Sequence, residues 1–296
     1  RNYRPEIDRS LAFGDQVLEL AGLFRARLTA LVAHWMRVGY CQGNFNSDNC
    51  AAGGYTLDYG PFGFCERFDP GFQPWTGGGE HFSFFNQPVA AGANYQMFWS
   101  ALRPLLSDNS DAPAQLDSIR DGFAAAMNQE LEAMSARKLG LAAPDAALVN
   151  ELLDLMLRSE ADYTHCFRRL SEIPPTIPEH LSALKESFYA PTSEGLDNAW
   201  SGWLERWRGA ITANGDLQET SAAMQRVNPA ITWREWLVAP AYQKAEQGDT
   251  RLIQELQAVF SHPYDAPSAE LAATYDRLRP QEFFNAGGVS HYSCSS

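Results

Sequence analysis

Cysteine is scarce in this chain. Five residues in 296, at positions 41, 50, 65, 166 and 294, are odd in number and never spaced Cys-x-x-Cys. Such usage argues against a disulfide scaffold and against a thiolate zinc site, and makes a reducing compartment the default. The six histidines show no His-x-x-x-His or His-x-Glu spacing, so an imidazole metal centre finds no support either. Positive charge is also short, with 23 Lys and Arg against 36 Asp and Glu. The net charge of -13 repels phosphate backbones, which makes nucleic acid a poor partner. No run of 18 apolar residues is present and no apolar signal segment follows Arg1-Asn2-Tyr3-Arg4, so no membrane segment is expected. The first residue is Arg rather than Met, from which an upstream segment is expected.

What is present is ordinary globular composition, 45% apolar and 20% charged, in a chain long enough to bury its own core. Val17, Leu20, Phe24, Leu28, Leu31, Trp35 and Val38 recur at three- and four-residue steps, which predicts one long helix. Gly39 follows as its C-terminal cap. From Tyr40 to Pro88 the chain is rich in glycine and aromatics and has no helical period, as long functional loops do. After Asn94 helical patterning returns, with helices expected over 95–107, 114–138, 145–160, 162–171, 197–209, 217–226, 232–247 and 250–259. Trp200, Trp203 and Trp207 fall on one face of one of these and read as core. No repeat of 20 to 50 residues indicates a solenoid, and the tail from Arg279 reads as polar and irregular.

The stretch from Gly43 to Gly60 carries the chemistry. A two-residue turn at Gly53-Gly54 would fold a tight hairpin that sets Cys50 opposite Leu57 and Asn49 opposite Asp58. Directly opposed residues have Cα atoms roughly 4.5–5.5 Å apart, so an amide oxygen and a carboxylate would converge beside Asp48. Few hard oxygen ligands with room for water and phosphate suit Mg²⁺ held together with a polyphosphate. The alternative is structural: Asn46, Asp48 and Asn49 form Asx turns and Tyr55, Leu57 and Tyr59 an ordinary hairpin.

A helix, a polar loop ending in Asn, a short hairpin and Asp-aromatic-Gly together resemble the catalytic and metal loops of protein kinases. A narrower resemblance is carried by Gly43–Asn49, LDYGPFGF at Leu57–Phe64, RFDPGF at Arg67–Phe72 and FNQP at Phe85–Pro88. NPA at Asn228–Ala230, AEQGD at Ala245–Asp249, PYD at Pro263–Asp265 and the Ser-Cys-Ser-Ser ending at Ser293–Ser296 extend it. Together these segments resemble the selenoprotein O family, also called YdiU, of kinase-like protein adenylyltransferases. The resemblance implies a mainly α fold: a protein-kinase-like C-lobe with a small β-hairpin at the metal site over residues 1–110, and a helical C-terminal extension over 111–296. It implies transfer of AMP from ATP to Ser, Thr or Tyr hydroxyls of protein substrates, with Mg²⁺ or Mn²⁺. Carried over by position, Asp48 matches the proton acceptor, Asn49 and Asp58 match the metal ligands, and Asp58 also lies against the nucleotide. Asn44, rather than Asp, stands five positions before Asn49, unlike a typical kinase.

No Gly-x-Gly-x-x-Gly and no Val-Ala-x-Lys strand precede the first helix, and Gly77-Gly78-Gly79 leads into no helix. The resemblance therefore covers the C-terminal portion of the family, and an N-lobe that binds ATP is expected upstream. Gln42, His81 and Phe85 stand where the family usually has a histidine, an arginine and an acidic residue. The family also carries a regulatory cysteine near the position of Pro74, able to pair with a C-terminal cysteine; here Cys294 is present and Cys65 is a substitute partner, a reduced thiol being the alternative. Two other readings stay open: a kinase-like phosphotransferase, and a catalytically silent binding or redox module. A bacterial cytoplasm is the expected location, or mitochondria if the source is eukaryotic.

Overall fold

The computed structural model describes residues 6–75, 79–107, 110–172, 180–213 and 215–284. Helix α1 (Phe13–Val38) is the axis. Of the expected stripe Val17, Phe24, Leu28 and Trp35 are buried and Leu20, Leu31 and Val38 half-buried, and Gly39 ends the helix in a left-handed turn at φ 80° that satisfies carbonyls of the last turn. Strand β1 (Tyr40–Gln42) follows and pairs antiparallel with β2 (Phe62–Phe64), in the register Tyr40 to Phe64, Cys41 to Gly63 and Gln42 to Phe62. The 19 residues 43–61 are thereby a loop held shut at its base.

Helix α2 (Gln87–Leu102) packs along α1, with Pro88 in its first turn. It begins earlier than the expected 95, because a first-turn proline continues into a helix rather than ending one. The expected single helix over 114–138 is two, α3 (Ala112–Asp121) and α4 (Phe123–Lys138). The break has a visible cause: Arg25 on α1 donates to the Ile119 carbonyl at 3.0 Å, taking the acceptor that Phe123 N–H would use in a continuous helix. Then come α5 (Ala146–Arg158), α6 (Tyr163–Glu172), α7 (His180–Lys185), α8 (Glu194–Thr212), α9 (Leu217–Gln225), α10 (Glu235–Glu246), α11 (Arg251–Ser261) and α12 (Ala269–Tyr275). The short α7 and α12 lie outside the expected helices.

One apolar core runs from Phe24 to Met224 and gathers α1, α2, α4, α5, α6 and α8. Trp200, Trp203 and Trp207 lie inside it, their indole N–H groups donating to Ser159 Oγ, Leu148 O and Leu139 O at 2.7, 2.9 and 2.8 Å. That partnering is how large amphipathic rings are buried without an unpaired donor. A second cluster, residues 230–283, is built on Trp236, Leu237, Ala241 and Tyr275. It is joined to the first by Arg234, which grips Asp162 through two hydrogen bonds of 2.6 and 2.9 Å and reaches Glu66 at 2.9 Å. No helix among the described residues is long and apolar enough to cross a membrane.

Candidate functional site

The loop between β1 and β2 is built to hold its backbone and release its side chains. At its neck Gly43 N–H donates to Pro61 O at 2.6 Å, and a Cβ on Gly43 would lie 2.6 Å from that same oxygen, so only glycine lets the two strands of the loop close. Phe45 is the inward anchor, 1% exposed, its ring set edge-on to Trp35 with centroids 4.9 Å apart. Asn94 on α2 clamps the next residues, donating to Phe45 O at 2.8 Å and accepting from Ser47 Oγ at 3.0 Å. On the far limb, Trp35 Nε1 donates to Thr56 Oγ1 at 2.9 Å.

Within this frame the chain reverses, and the register differs from expectation by one residue. The observed bridge joins Cys50 to Thr56, not Cys50 to Leu57. Gly54 N–H closes a turn onto Ala51 O at 2.9 Å, and Gly54 itself sits at φ 72°, so the reversal uses residues 51–55 instead of a two-residue glycine turn. By that register Asn49 opposes Leu57, and Asp58 is displaced one step from the expected pairing. The hairpin is this single bridge; the regular strands lie at the loop base.

Asp48 occupies a single 3₁₀ turn, Ser47–Asn49, is exposed, and makes no hydrogen bond or ion pair with another described residue. Asn49 donates its amide to Asn44 O at 2.9 Å, which leaves its side-chain oxygen without a partner among the described residues. Asp58 accepts from Gly60 N–H at 3.0 Å through one oxygen and from Gln42 Nε2 at 3.5 Å through the other, the first being an Asx-type turn. The protein thus offers one half-buried carboxylate, one amide oxygen and one exposed carboxylate. Among the described residues no group of three or more His, Cys, Asp or Glu is arranged to hold a metal by itself. So sparse a hard-oxygen set matches the way Mg²⁺ is held, with water and phosphate completing the shell.

Two residues already noted in the sequence, Gln42 as a departure from the family and Gln87 within FNQP, position the loop, a role the sequence did not reveal. Gln42, 1% exposed, accepts a hydrogen bond from Tyr40 OH and reaches Asp58 with its amide. Gln87, fully buried, accepts from Gln42 N–H at 3.2 Å and donates to Phe82 O and Gln42 O at 2.7 and 3.1 Å. The Phe85–Pro88 motif was the available signal for Gln87, whose side chain stitches the end of the glycine-rich segment to the strand that opens the loop.

The four described cysteines are poor nucleophiles here. Burial pushes the Cys41 and Cys50 thiols up to about 12 and the Cys65 and Cys166 thiols higher still. Cys65 is 1% exposed and its thiol lies 3.5 Å from Arg67 O, while its expected partner Cys294 lies outside the described residues. Ser187, His165 and Asp276 have the reach of a hydrolytic triad, with Ser187 Oγ 2.9 Å from His165 Nδ1 and Asp276 3.4 Å from Nε2. All three side chains are buried, Ser187 completely, so no substrate carbonyl can approach it.

A sequence model of the family described as "Protein adenylyltransferase SelO" matches residues 14–261. The "Protein nucleotidyltransferase YdiU" of Azoarcus sp. (strain BH72) is 36% identical over 279 residues, covering 92% of this chain and 52% of that protein. Its namesake in Xanthomonas campestris pv. campestris (strain B100) is 35% identical over 297 residues, covering 98% and 54%. That in Methylobacillus flagellatus is 35% identical over 306 aligned residues, covering 100% and 56%. The chain spans about half the length of these curated relatives.

Proposed function

The chain belongs to the SelO family of protein adenylyltransferases, and from that premise we propose that it forms the kinase-like helical lobe of an enzyme that transfers AMP from ATP to hydroxyl groups of other proteins. The observation that carries this reading is the loop 43–61, whose backbone is held at Gly43, Phe45 and Gly54 while the side-chain oxygens of Asp48 and Asn49 have no partner among the described residues. A side-chain oxygen with no protein partner, carried on a backbone fixed at several points, is available to a ligand.

In this reading Asp48 orients the acceptor Ser, Thr or Tyr hydroxyl. The hydroxyl oxygen bonds to the α-phosphorus, the bond from that phosphorus to the β-phosphate bridge breaks, and pyrophosphate leaves. The hydroxyl proton passes to the Asp48 carboxylate. Such transfers leave side chains little covalent work, so positioning and charge neutralisation dominate. Asn49 and Asp58 would hold Mg²⁺, which when bound neutralises phosphate charge. Gln42 and Gly60 fix the Asp58 carboxylate for that task. An upstream lobe would supply the remaining nucleotide contacts, and the exposed side chains of Tyr55, Leu57 and Tyr59 offer a surface for it to rest on.

The test uses the complete protein, with ATP labelled on the α-phosphate in one reaction and on the γ-phosphate in another. Label transferred to protein only from the α-position supports AMP transfer; label only from the γ-position makes it a phosphotransferase, and none from either rejects both. Asp58→Ala is expected to abolish Mg²⁺-dependent ATP binding measured by calorimetry, and unchanged affinity would remove Asp58 from the site.

A further inference from the structure

Beside the catalytic loop runs a cleft of about 480 Å³, walled on one side by Phe45 and Ser47 and on the other by Val89, Ala93 and Met97 of α2, with Phe82 at its end. That volume is in the range of ligand-sized clefts. Val89, Ala93 and Met97 lie at i, i+4 and i+8, one row along the helix. Val89 is 70% exposed and Met97 54%, an apolar row left open to solvent.

Two further observations define what would fill it. The amides of the cleft wall are engaged: Asn94 with Phe45 O and Ser47 Oγ, Asn86 with Glu80 O at 2.7 Å and Ser83 Oγ at 3.1 Å, and Asn46 with Asn44 Oδ1 at 2.6 Å, while the His81 ring rests against Phe82 with centroids 4.1 Å apart. None of the described lining residues is Lys or Arg, His81 being the lining group able to take a positive charge, and the exposed Asp48 and Glu80 adjoin the lining residues Ser47 and His81 along the chain. A phosphate or acidic group would find no Lys or Arg in the lining and two carboxylates on neighbouring residues of the chain. An aliphatic or aromatic side chain would cover the open row without losing a hydrogen bond. A basic neighbour would be favoured by those two carboxylates.

Resting on the function proposed above, we propose that this cleft receives the protein substrate itself: an extended segment that lays an apolar side chain, one or two residues from the acceptor hydroxyl, against Val89, Ala93 and Met97. The cleft thus selects hydroxyls flanked by Leu, Met or Phe and rejects those flanked by Asp or Glu. Continuity with Asp48 fixes the occupant, because a chain that presents its hydroxyl to Asp48 must lay its adjoining residues along Ser47. Methionine at position 97 suits a site that accepts several apolar shapes.

The experiment uses the complete protein and fluorescent Ser-containing peptides that differ only in the residue beside Ser: Leu, Lys or Asp. Steady-state transfer and fluorescence anisotropy are measured for the wild type, Val89→Asp and Met97→Asp, whose exposed positions leave folding intact, as melting curves will verify. The expected result is a preference for Leu over Asp of tenfold or more in the wild type. Each variant should raise KM for the Leu peptide at least tenfold, leave KM for ATP unchanged, and shift preference toward the Lys peptide. Wild-type KM and affinity for the Leu peptide in both variants would overturn the proposal. So would a concentration-dependent dimer, seen by light scattering, that both variants dissociate without change in peptide affinity, since the occupant would then be a second copy. Transfer of phosphate instead of AMP would sink the proposed chemistry and leave the cleft's preference standing; where no transfer occurs, anisotropy alone decides the cleft.

Discussion

Two groups of acidic side chains in this molecule are put to opposite uses. Asp162, wholly buried, spends both oxygens: one accepts from Arg234 and from His165 N–H, the other from Arg234 and from Tyr189 OH, all at 2.6 to 3.0 Å. Glu66 beside it accepts from Arg234 and Trp236 at 2.9 and 2.8 Å. Asp48 on the loop accepts from no described residue, and Asp58 takes one backbone N–H and one long amide contact. A carboxylate such as Asp162, with each oxygen accepting two hydrogen bonds, holds two parts of a fold together and has nothing left for a ligand. Carboxylates held on a fixed backbone with lone pairs in reserve are available to one.

The contrast can be broken most forcefully at Arg234. Arg234→Met leaves the fully buried Asp162 without its counter-ion, and the partly buried Glu66 with Arg279 alone at 3.7 Å, which should cost about 3–5 kcal/mol in urea unfolding. A loss below about 1 kcal/mol would show that the seam is solvated and not a lock. Next in size is Gly54→Ala. Its φ of 72° and a Cβ placed 2.4 Å from Arg27 Cβ predict a loss of roughly 1–3 kcal/mol by thermal melting.

Acid should act on the buried group first. Burial pushes His165 below its usual value, and Arg169 and Arg234 push the same way against Asp162 and Asp276. The unfolded chain therefore takes up the proton before the folded one does, so the His165 contribution is complete above the ordinary histidine value of about 6.5 and is lost as pH falls through the lower folded value. Asp162, held below the ordinary carboxylate value by Arg234 despite its burial, loses its contribution at still lower pH. Unfolding free energy should fall as pH drops below about 6.5, and His165→Gln should flatten that fall; an unchanged slope would place the titration elsewhere. The smallest effect sharpens the comparison: Asp48→Ala should alter stability by no more than about 0.5 kcal/mol, while in the complete protein it slows transfer by about 10²-fold or more with ATP binding retained. Loss of both would make Asp48 a nucleotide ligand.

How much of this was legible depends on chain separation. The 26-residue α1 and the three tryptophans of α8 announce themselves because many turns repeat one pattern. The polar loop and its glycine reversal were legible as local chemistry. The register was not, because Gly54 in a left-handed conformation extends the turn beyond two residues, and a single step moves every pairing. Three-residue strands carry no period to detect. The seam of Glu66, Asp162, Arg234 and Asp276 joins positions up to 210 residues apart, and a lone Asp or Arg in sequence gives no sign of its distant partner.

The last turn of α1 sets a practical boundary for anyone dissecting the molecule. Its carbonyls are met from far downstream, Met36 O by Tyr163 OH at 2.8 Å and Arg37 O by Lys138 Nζ at 2.6 Å. The ammonium group of that buried lysine also rests over the Phe167 ring, 3.7 Å from its centroid. Every residue assigned to chemistry lies before position 60, yet the foundation on which they stand is cast by residues 138 to 167. A minimal fragment prepared for nuclear magnetic resonance titration should therefore extend past α6; one cut after β2 would fray where the loop begins.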